Sequence, residues 1–143
     1  MYIVCIITVN VMKCPFCRSD TTVEISRPSS KLFSVWRRRL CSKCNKPFST
    51  REKPDLSLVI TVSKDSSRQE PFSDDKLLIS IYECMSHRND ALEASRALSE
   101  TIVRLVLPSK SGSIESTEIK NAALKVLKRF DMAAFTYYKA HNK

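Results

Sequence analysis

The chain has 143 residues, 24 Lys+Arg against 15 Asp+Glu, and a formal net charge of +9. At 43% hydrophobic and 27% charged, it is not disordered, collagen-like or membrane-spanning, and its length allows one ordinary domain or two small ones. The charge is uneven: residues 1–53 hold 11 basic and 3 acidic side chains, whereas residues 54–143 hold 13 and 12. One end seeks polyanions and the other is close to neutral, which argues for a two-part binder and against a uniform enzyme domain.

The chain opens on an apolar stretch, Met1 to Met12. It is too short to span a bilayer as a helix, and it lacks the basic start and small-residue cleavage site of a signal peptide. It suits a β-strand or, better, an extension (residues 1–11) ahead of a true start at Met12, because Met12-Lys13 leads directly into the first cysteine pair.

Four of the six cysteines form two Cys-x-x-Cys pairs, Cys14/Cys17 and Cys41/Cys44. Each pair places two thiolates on a tight knuckle, and two knuckles together make a closed four-thiolate site that suits one structural Zn2+ and leaves no open catalytic position. A redox pair or an iron–sulfur site are the alternatives at this spacing. Cys5 and Cys84 read as small buried hydrophobes. Between the knuckles, Thr21–Ser26 alternates as a strand, Pro28-Ser29-Ser30 signals a turn, and 32–40 is a second β-prone run. A segment of this size needs a staple to fold, and four thiolates on zinc supply one.

Arg37, Arg38 and Arg39 precede the second knuckle, and Lys43, Lys46 and Arg51 lie within or after it, with Trp36 and Phe48 interleaved. Cations on a rigid, metal-stapled ribbon suit phosphate contact, and arginine also reads guanine edges. A plain solvated charged face is the competing reading.

Arg51 to Asp55 is a polar connection, with a domain boundary after residue 53. Leu56–Val62 reads as a strand, 64–69 as a polar turn, and Glu70-Pro71-Phe72 as the start of a return strand. Ser73 is an N-cap, followed by Asp74 and Asp75 in the first helical turn. The remainder has helical periodicity. Leu77, Ile81 and Met85 share one face. Leu92, Leu98, Ile102, Leu105 and Val106 form a second stripe, capped by Asn89 or Asp90 and ended by Pro108 and Gly112. Ser116 caps a third helix that turns Ile119, Ala123, Val126, Leu127 and Phe130 inward, and Asp131 caps a fourth holding Phe135 and Tyr138. On physical grounds alone Lys64 and Lys76 read as surface lysines, since Asp74 and Asp75 oppose a polyphosphate and there is no glycine-rich phosphate loop. His87 and His141 have no nucleophile partner at recognisable spacing, and no carboxylate pair stands out, so a catalytic role has no support.

Met12-Lys13-Cys14-Pro15-Phe16-Cys17, Val23-x-x-Ser26-Arg27 and Arg37-Arg38-Arg39-x-Cys41-x-x-Cys44-x-x-x-Phe48-Ser49-Thr50-x-Glu52 resemble the zinc ribbon of NrdR proteins, bacterial repressors of ribonucleotide reductase genes. The resemblance continues through Val62-x-Lys64, Glu70-Pro71-Phe72-x-x-x-Lys76 and the helix containing Cys84, and ends in Leu127-Lys128-x-x-Asp131-x-x-Ala134-Phe135, similar to the last part of an ATP-cone. It implies an α+β chain of two small domains: a four-cysteine zinc ribbon of short strands (12–53), then a mostly helical ATP-cone of a β-hairpin plus four helices (54–143). The ribbon is expected to bind double-stranded operator DNA. The cone is expected to bind ATP or dATP and to set a homo-oligomeric assembly. By position, Val62, Lys64, Glu70 and Lys76 match the family's nucleotide-binding region. A non-enzymatic regulator is implied, cytoplasmic and nucleoid-associated when on DNA, with no membrane partner. The chain departs from the family pattern at Asp65-Ser66-Ser67, where Arg and Gly are common, and at Ile25, Trp36 and Pro47. The alternative is a zinc-ribbon nucleic-acid module whose degenerate cone serves only oligomerisation.

Overall fold

The computed structural model describes residues 12–30, 33–65, 68–107 and 112–141. The N-terminal extension, Cys5, Leu32, Ser66, Ser67 and Pro108 therefore lie outside the described residues. The chain divides into two compact units, Met1–Pro54 and Asp55–Lys143.

In the first unit, β1 (Thr21–Ser29), β2 (Ser34–Cys41) and β3 (Pro47–Glu52) form an antiparallel sheet in the order β1-β2-β3. β1 runs past the expected end at Ser26 and through Pro28. An edge strand tolerates that proline because one row of its backbone amides needs no ladder partner. β3 was expected to be partly a polar connection. Its six residues are mostly polar, so no apolar alternation announces it, and its definition comes from pairing with β2. Among the described residues of this unit, only Cys14, Thr21, Ser34 and Cys41 are buried. None of its described aliphatic or aromatic side chains is buried, so among them hydrophobic burial supplies little of the stability.

The second unit carries the hydrophobic core. Its sheet has the order β5-β4-β6, from β4 (Thr61–Asp65), β5 (Arg68–Pro71) and β6 (Ser113–Glu115). β4 pairs antiparallel with β5 and parallel with β6. The helices are α1 (Asp74–Met85), α2 (Ala91–Val106), α3 (Ser116–Phe130) and α4 (Met132–His141). The expected strand from Leu56 begins only at Thr61. Leu56–Leu58 is instead a 3-10 turn, because Asp55 caps it through the Ser57 amide at 3.0 Å. β6 was not expected: at three residues it is too short to carry a pattern. Gly112, at φ +88°, turns its carbonyl onto the Thr61 amide at 2.9 Å and so leads β6 in beside β4.

Side chains cap the starts of α1, α3 and α4, whereas Asp90, one of the two expected caps of α2, precedes that helix without a side-chain cap bond. Ser73 accepts from the Lys76 amide at 3.2 Å, as expected. The cap of α3 is Glu115 rather than Ser116. The Glu118 carboxylate accepts from the Glu115 amide at 3.1 Å in a reciprocal capping box, which leaves Ser116 as the first helical residue. Asp131 accepts from the Ala133 and Ala134 amides at 2.9 and 3.0 Å and starts α4. Leu77, Ile81, Met85, Leu98, Ile102, Val106, Ala123, Leu127 and Tyr138 are buried, as is Cys84 at 3% exposure. Leu92, Leu105 and Phe130 were expected inside but are exposed. Leu92 and Leu105 lie off the stripe that buries Ala91, Leu98 and Ile102, and Phe130 instead carries the Arg88 guanidinium at 5.2 Å from its ring centre.

Candidate metal centre and nucleic-acid interface

The two cysteine knuckles are built alike. The Arg18 amide bonds back to the Cys14 carbonyl at 2.9 Å, as the Asn45 amide does to that of Cys41 at 3.2 Å. The Cys14 amide bonds forward to Ser19 at 2.9 Å, and that of Cys41 to Lys46 at 3.2 Å. Arg18 and Asn45 both take left-handed backbone, at φ 59° and 53°. Asparagine adopts this readily and arginine less so, yet the knuckle imposes it at the same place in each pair.

This repeated geometry aims four sulfurs at one point: those of Cys14, Cys17, Cys41 and Cys44 all lie within 4.8 Å of one another. Cys14 and Cys44 Sγ are 3.8 Å apart, and Cys17 and Cys41 Sγ 3.4 Å. Two thiolates on a tetrahedral zinc, at Zn–S of about 2.3 Å, stand about 3.8 Å apart, so the set fits that ion. The amides of Lys43 and Cys44 both point to Cys41 Sγ at 3.4 Å. They hold its thiol below the ordinary range, the Cys44 amide most strongly. Hydrogen bonds from Ser19 bring Cys17 down to about 6. The Lys46 amide lowers Cys44, but partial burial and the three neighbouring sulfurs outweigh it and push that thiol to about 11. Four thiolates at this spacing need a cation among them.

β2 carries the arginine triplet, and strand alternation splits it. Opposite residues share a face. Arg27, Trp36 and Arg51 align across the three strands, and Ile25, Arg38 and Ser49 form the next row on that face. Ser26, Arg37 and Thr50 align on the other face, with Val23, Arg39 and Phe48 in the row beside them. The faces differ in how their cations are engaged. Arg37 Nη2 donates to Glu52 Oε2 at 3.1 Å, and its Nε lies 3.1 Å from Oε1. Arg39 Nε donates to Thr50 Oγ1 at 3.3 Å. On the opposite face, Arg38 pairs with Glu24 at 3.5 Å, its one carboxylate partner among the described residues. The Arg27 guanidinium sits 5.7 Å from the Trp36 ring centre. Among the described residues, Arg27 and Arg51 have no carboxylate partner. Lys43 is exposed on the second knuckle, and Lys46 lies 4.9 Å from the Phe16 ring centre of the first. Arg27 was absent from the expected cation set. The hairpin turn after it was legible, but only the register shows that it stands opposite Trp36.

In the second unit Lys64, Glu70 and Lys76 come together. Lys64 Nζ lies 2.8 Å from Glu70 Oε1 and Lys76 Nζ 3.0 Å from Oε2. The two ammonium groups, Lys64 first, hold the Glu70 carboxyl down at about 2. Val62 does not join them: it is 7% exposed, packs in the core, and stands opposite Glu70 in the β4–β5 ladder. Beside Lys76 an open cleft of about 570 Å³ is lined by Leu56, Phe72 and Ser73, with Asp55, Asp74 and Asp75 on its wall. His87 Nε2 donates to the Asp131 carboxylate at 3.1 Å and belongs to the α1–α2 and α3–α4 junctions rather than to this cluster.

Residues 12–52 match the zinc-ribbon family described as "Transcriptional repressor NrdR-like, N-terminal domain". The chain is 38% identical over 128 residues to the transcriptional repressor NrdR of Phenylobacterium zucineum, covering 89% of this chain and 82% of that one. It is 34% identical over 127 residues to NrdR of Symbiobacterium thermophilum, covering 89% and 84%, and 38% identical over 126 residues to that of Brucella ovis, covering 87% and 78%. Each of these relatives is a transcriptional repressor. Among the described residues no helix is long and apolar enough to cross a membrane. A cysteine-stapled ribbon, a second α+β unit and this likeness over most of both chains place the protein in the NrdR family of transcriptional repressors.

Proposed function

We propose that the chain is a nucleotide-responsive repressor of ribonucleotide reductase genes, with residues 12–53 as its DNA-binding ribbon and 54–143 as an ATP-cone. The observation that carries the reading is the ribbon itself: four convergent sulfurs and an excess of cations on a sheet that buries no aliphatic or aromatic side chain among the described residues. Cys14, Cys17, Cys41 and Cys44 hold one structural Zn2+, which supplies the cross-link that burial does not. On that rigid base Arg38, Arg51, Lys43 and Lys46 meet the phosphates of double-stranded operator DNA in the cytoplasm, at the nucleoid. Lys64 and Lys76 take the phosphates of ATP or dATP. Binding acts by favouring one homo-oligomeric assembly over another, which requires unequal affinity for the two. Several ribbons in one assembly then gain effective concentration on paired sites. A titration of a ribonucleotide reductase promoter duplex against unrelated duplex tests this. Tighter binding to the promoter supports the reading, and equal binding overturns operator specificity.

One observation favours a second reading, a cone that only assembles the chain. Glu70 already satisfies both lysines, and the adjoining cleft presents three aspartates. Thermal unfolding with ATP and with dATP separates the two. A rise in Tm with either supports nucleotide binding, and no rise with both supports the assembly-only cone.

A further inference from the structure

We propose that the ribbon meets DNA with one face of its sheet, the face of Arg27, Trp36, Arg38 and Arg51, and that Arg37 belongs to the ribbon's own framework. The inference rests on the reading of the ribbon as the DNA-binding element and adds which residues touch the duplex. In sequence Arg37, Arg38 and Arg39 look equivalent, but the ladder points Arg38 to one side and its neighbours to the other.

The two sides have different chemistry. Arg37 gives one hydrogen bond, from Nη2, to the Glu52 carboxylate across the β2–β3 ladder, and its Nε lies 3.1 Å from the other oxygen. A guanidinium paired in this way has its charge matched, so a phosphate must first break the pair. Arg39 is half-buried between Val23 and Phe48 and donates to Thr50. On the other side, Arg27 and Arg51 flank Trp36 in one cross-strand row, and among the described residues neither has a carboxylate partner. The Trp36 ring fixes the Arg27 guanidinium by cation–π contact, which limits its freedom without matching its charge. Arg38 stands half-exposed in the next row, and its Glu24 contact at 3.5 Å is long for a hydrogen-bonded pair.

Spacing fits as well. The outer strands of a three-stranded sheet are about 10 Å apart, so Arg27 and Arg51 span a width comparable to the major groove at about 12 Å. Three arginines and an indole on one surface supply phosphate contact and a flat apolar body at the centre of the row.

The test uses the full zinc-loaded chain and the reductase promoter duplex, with affinity measured as a function of salt. Arg27→Gln, Arg38→Gln and Arg51→Gln are each expected to lower the steepness of log K against log salt by about 0.9, one phosphate contact apiece. Arg27→Lys keeps the charge and is expected to keep the steepness, which separates contact from packing. Arg37→Gln is expected to lower ribbon stability, read by Trp36 fluorescence on heating, with the steepness unchanged. Lower steepness for Arg37→Gln with none for Arg27→Gln and Arg51→Gln overturns the face assignment alone. A wild-type chain whose binding is flat with salt overturns the DNA-binding reading and the face assignment with it.

Discussion

Cys14 Sγ stands 3.8 Å from Cys44 Sγ, across the two knuckles, at the separation of two ligands on one tetrahedral zinc. The contact joins segments thirty residues apart in a unit that buries no aliphatic or aromatic side chain among its described residues. Chelation is therefore expected to unfold the ribbon and spare the helices, which have their own core. Trp36 is the single tryptophan and lies in β2, while every described α-helix lies in the second unit. A strong chelator should change Trp36 fluorescence while helical circular dichroism persists. Unchanged fluorescence would refute the structural role of the metal.

The Lys64–Glu70–Lys76 bridge bears on nucleotide binding. One carboxylate, ionised down to about pH 2, stands between two ammonium groups and leaves them a single unmatched positive charge. Lys64→Ala and Lys76→Ala should each reduce the rise in Tm produced by ATP. Glu70→Gln removes the internal anion and should tighten phosphate binding about two- to fivefold, the scale of an exposed ion pair. Calorimetry with ATP checks both directions, and weaker binding by Glu70→Gln would show that the carboxylate holds the lysines in place.

Asp131 ties the α3–α4 corner to the α1–α2 loop. It caps α4 through two amides and receives His87 and Arg88 at 3.1 and 3.4 Å. Asp131→Ala should cost about 1–2 kcal/mol and lower the Tm of the second unit by about 5–10 °C. The Ala134 amide first, then His87 and Arg88, hold its carboxyl at about 2 against an ordinary 3.8. A lowered carboxyl stabilises the fold when ionised, so the contribution is whole above about pH 4 and is lost as pH falls through about 2. Acid unfolding of Asp131→Asn should be correspondingly less steep in that window.

Ser95 is fully buried in α2, and its hydroxyl has no hydrogen-bond partner among the described residues. An orphaned buried hydroxyl costs about 1 kcal/mol or more. Ser95→Ala removes it with almost no change in volume and should raise Tm by a few degrees in a thermal melt. A fall in Tm would mean that the hydroxyl is engaged.

What could be read in advance followed the reach of each signal. The thiolate pairs, the Ser73 and Asp131 caps, and the Leu77, Ile81 and Met85 stripe are local patterns with local causes. The strands β3 and β6 are not, because one is polar and the other three residues long, and each exists through its partner. Leu92, Leu105 and Phe130 carry the right residue type at the wrong angle. The split of the arginine triplet and the pairing of Glu70 with two lysines depend on register, which composition and motif do not encode. Membership of the family was legible from the two motifs in order, whereas the facing of its cations was not.

In the proposed repressor, nucleotide bound by the second unit alters how the ribbon holds DNA. Linkage makes the two effects reciprocal, so one measurement reaches both. The affinity of the zinc-loaded chain for the reductase promoter duplex should be measured without nucleotide and with saturating ATP or dATP. The expected result is a Kd that changes about fivefold or more between at least two of these states. Superimposable titrations in all three, with nucleotide shown to be bound by a shift in Tm, would mean that the second unit does not govern DNA binding.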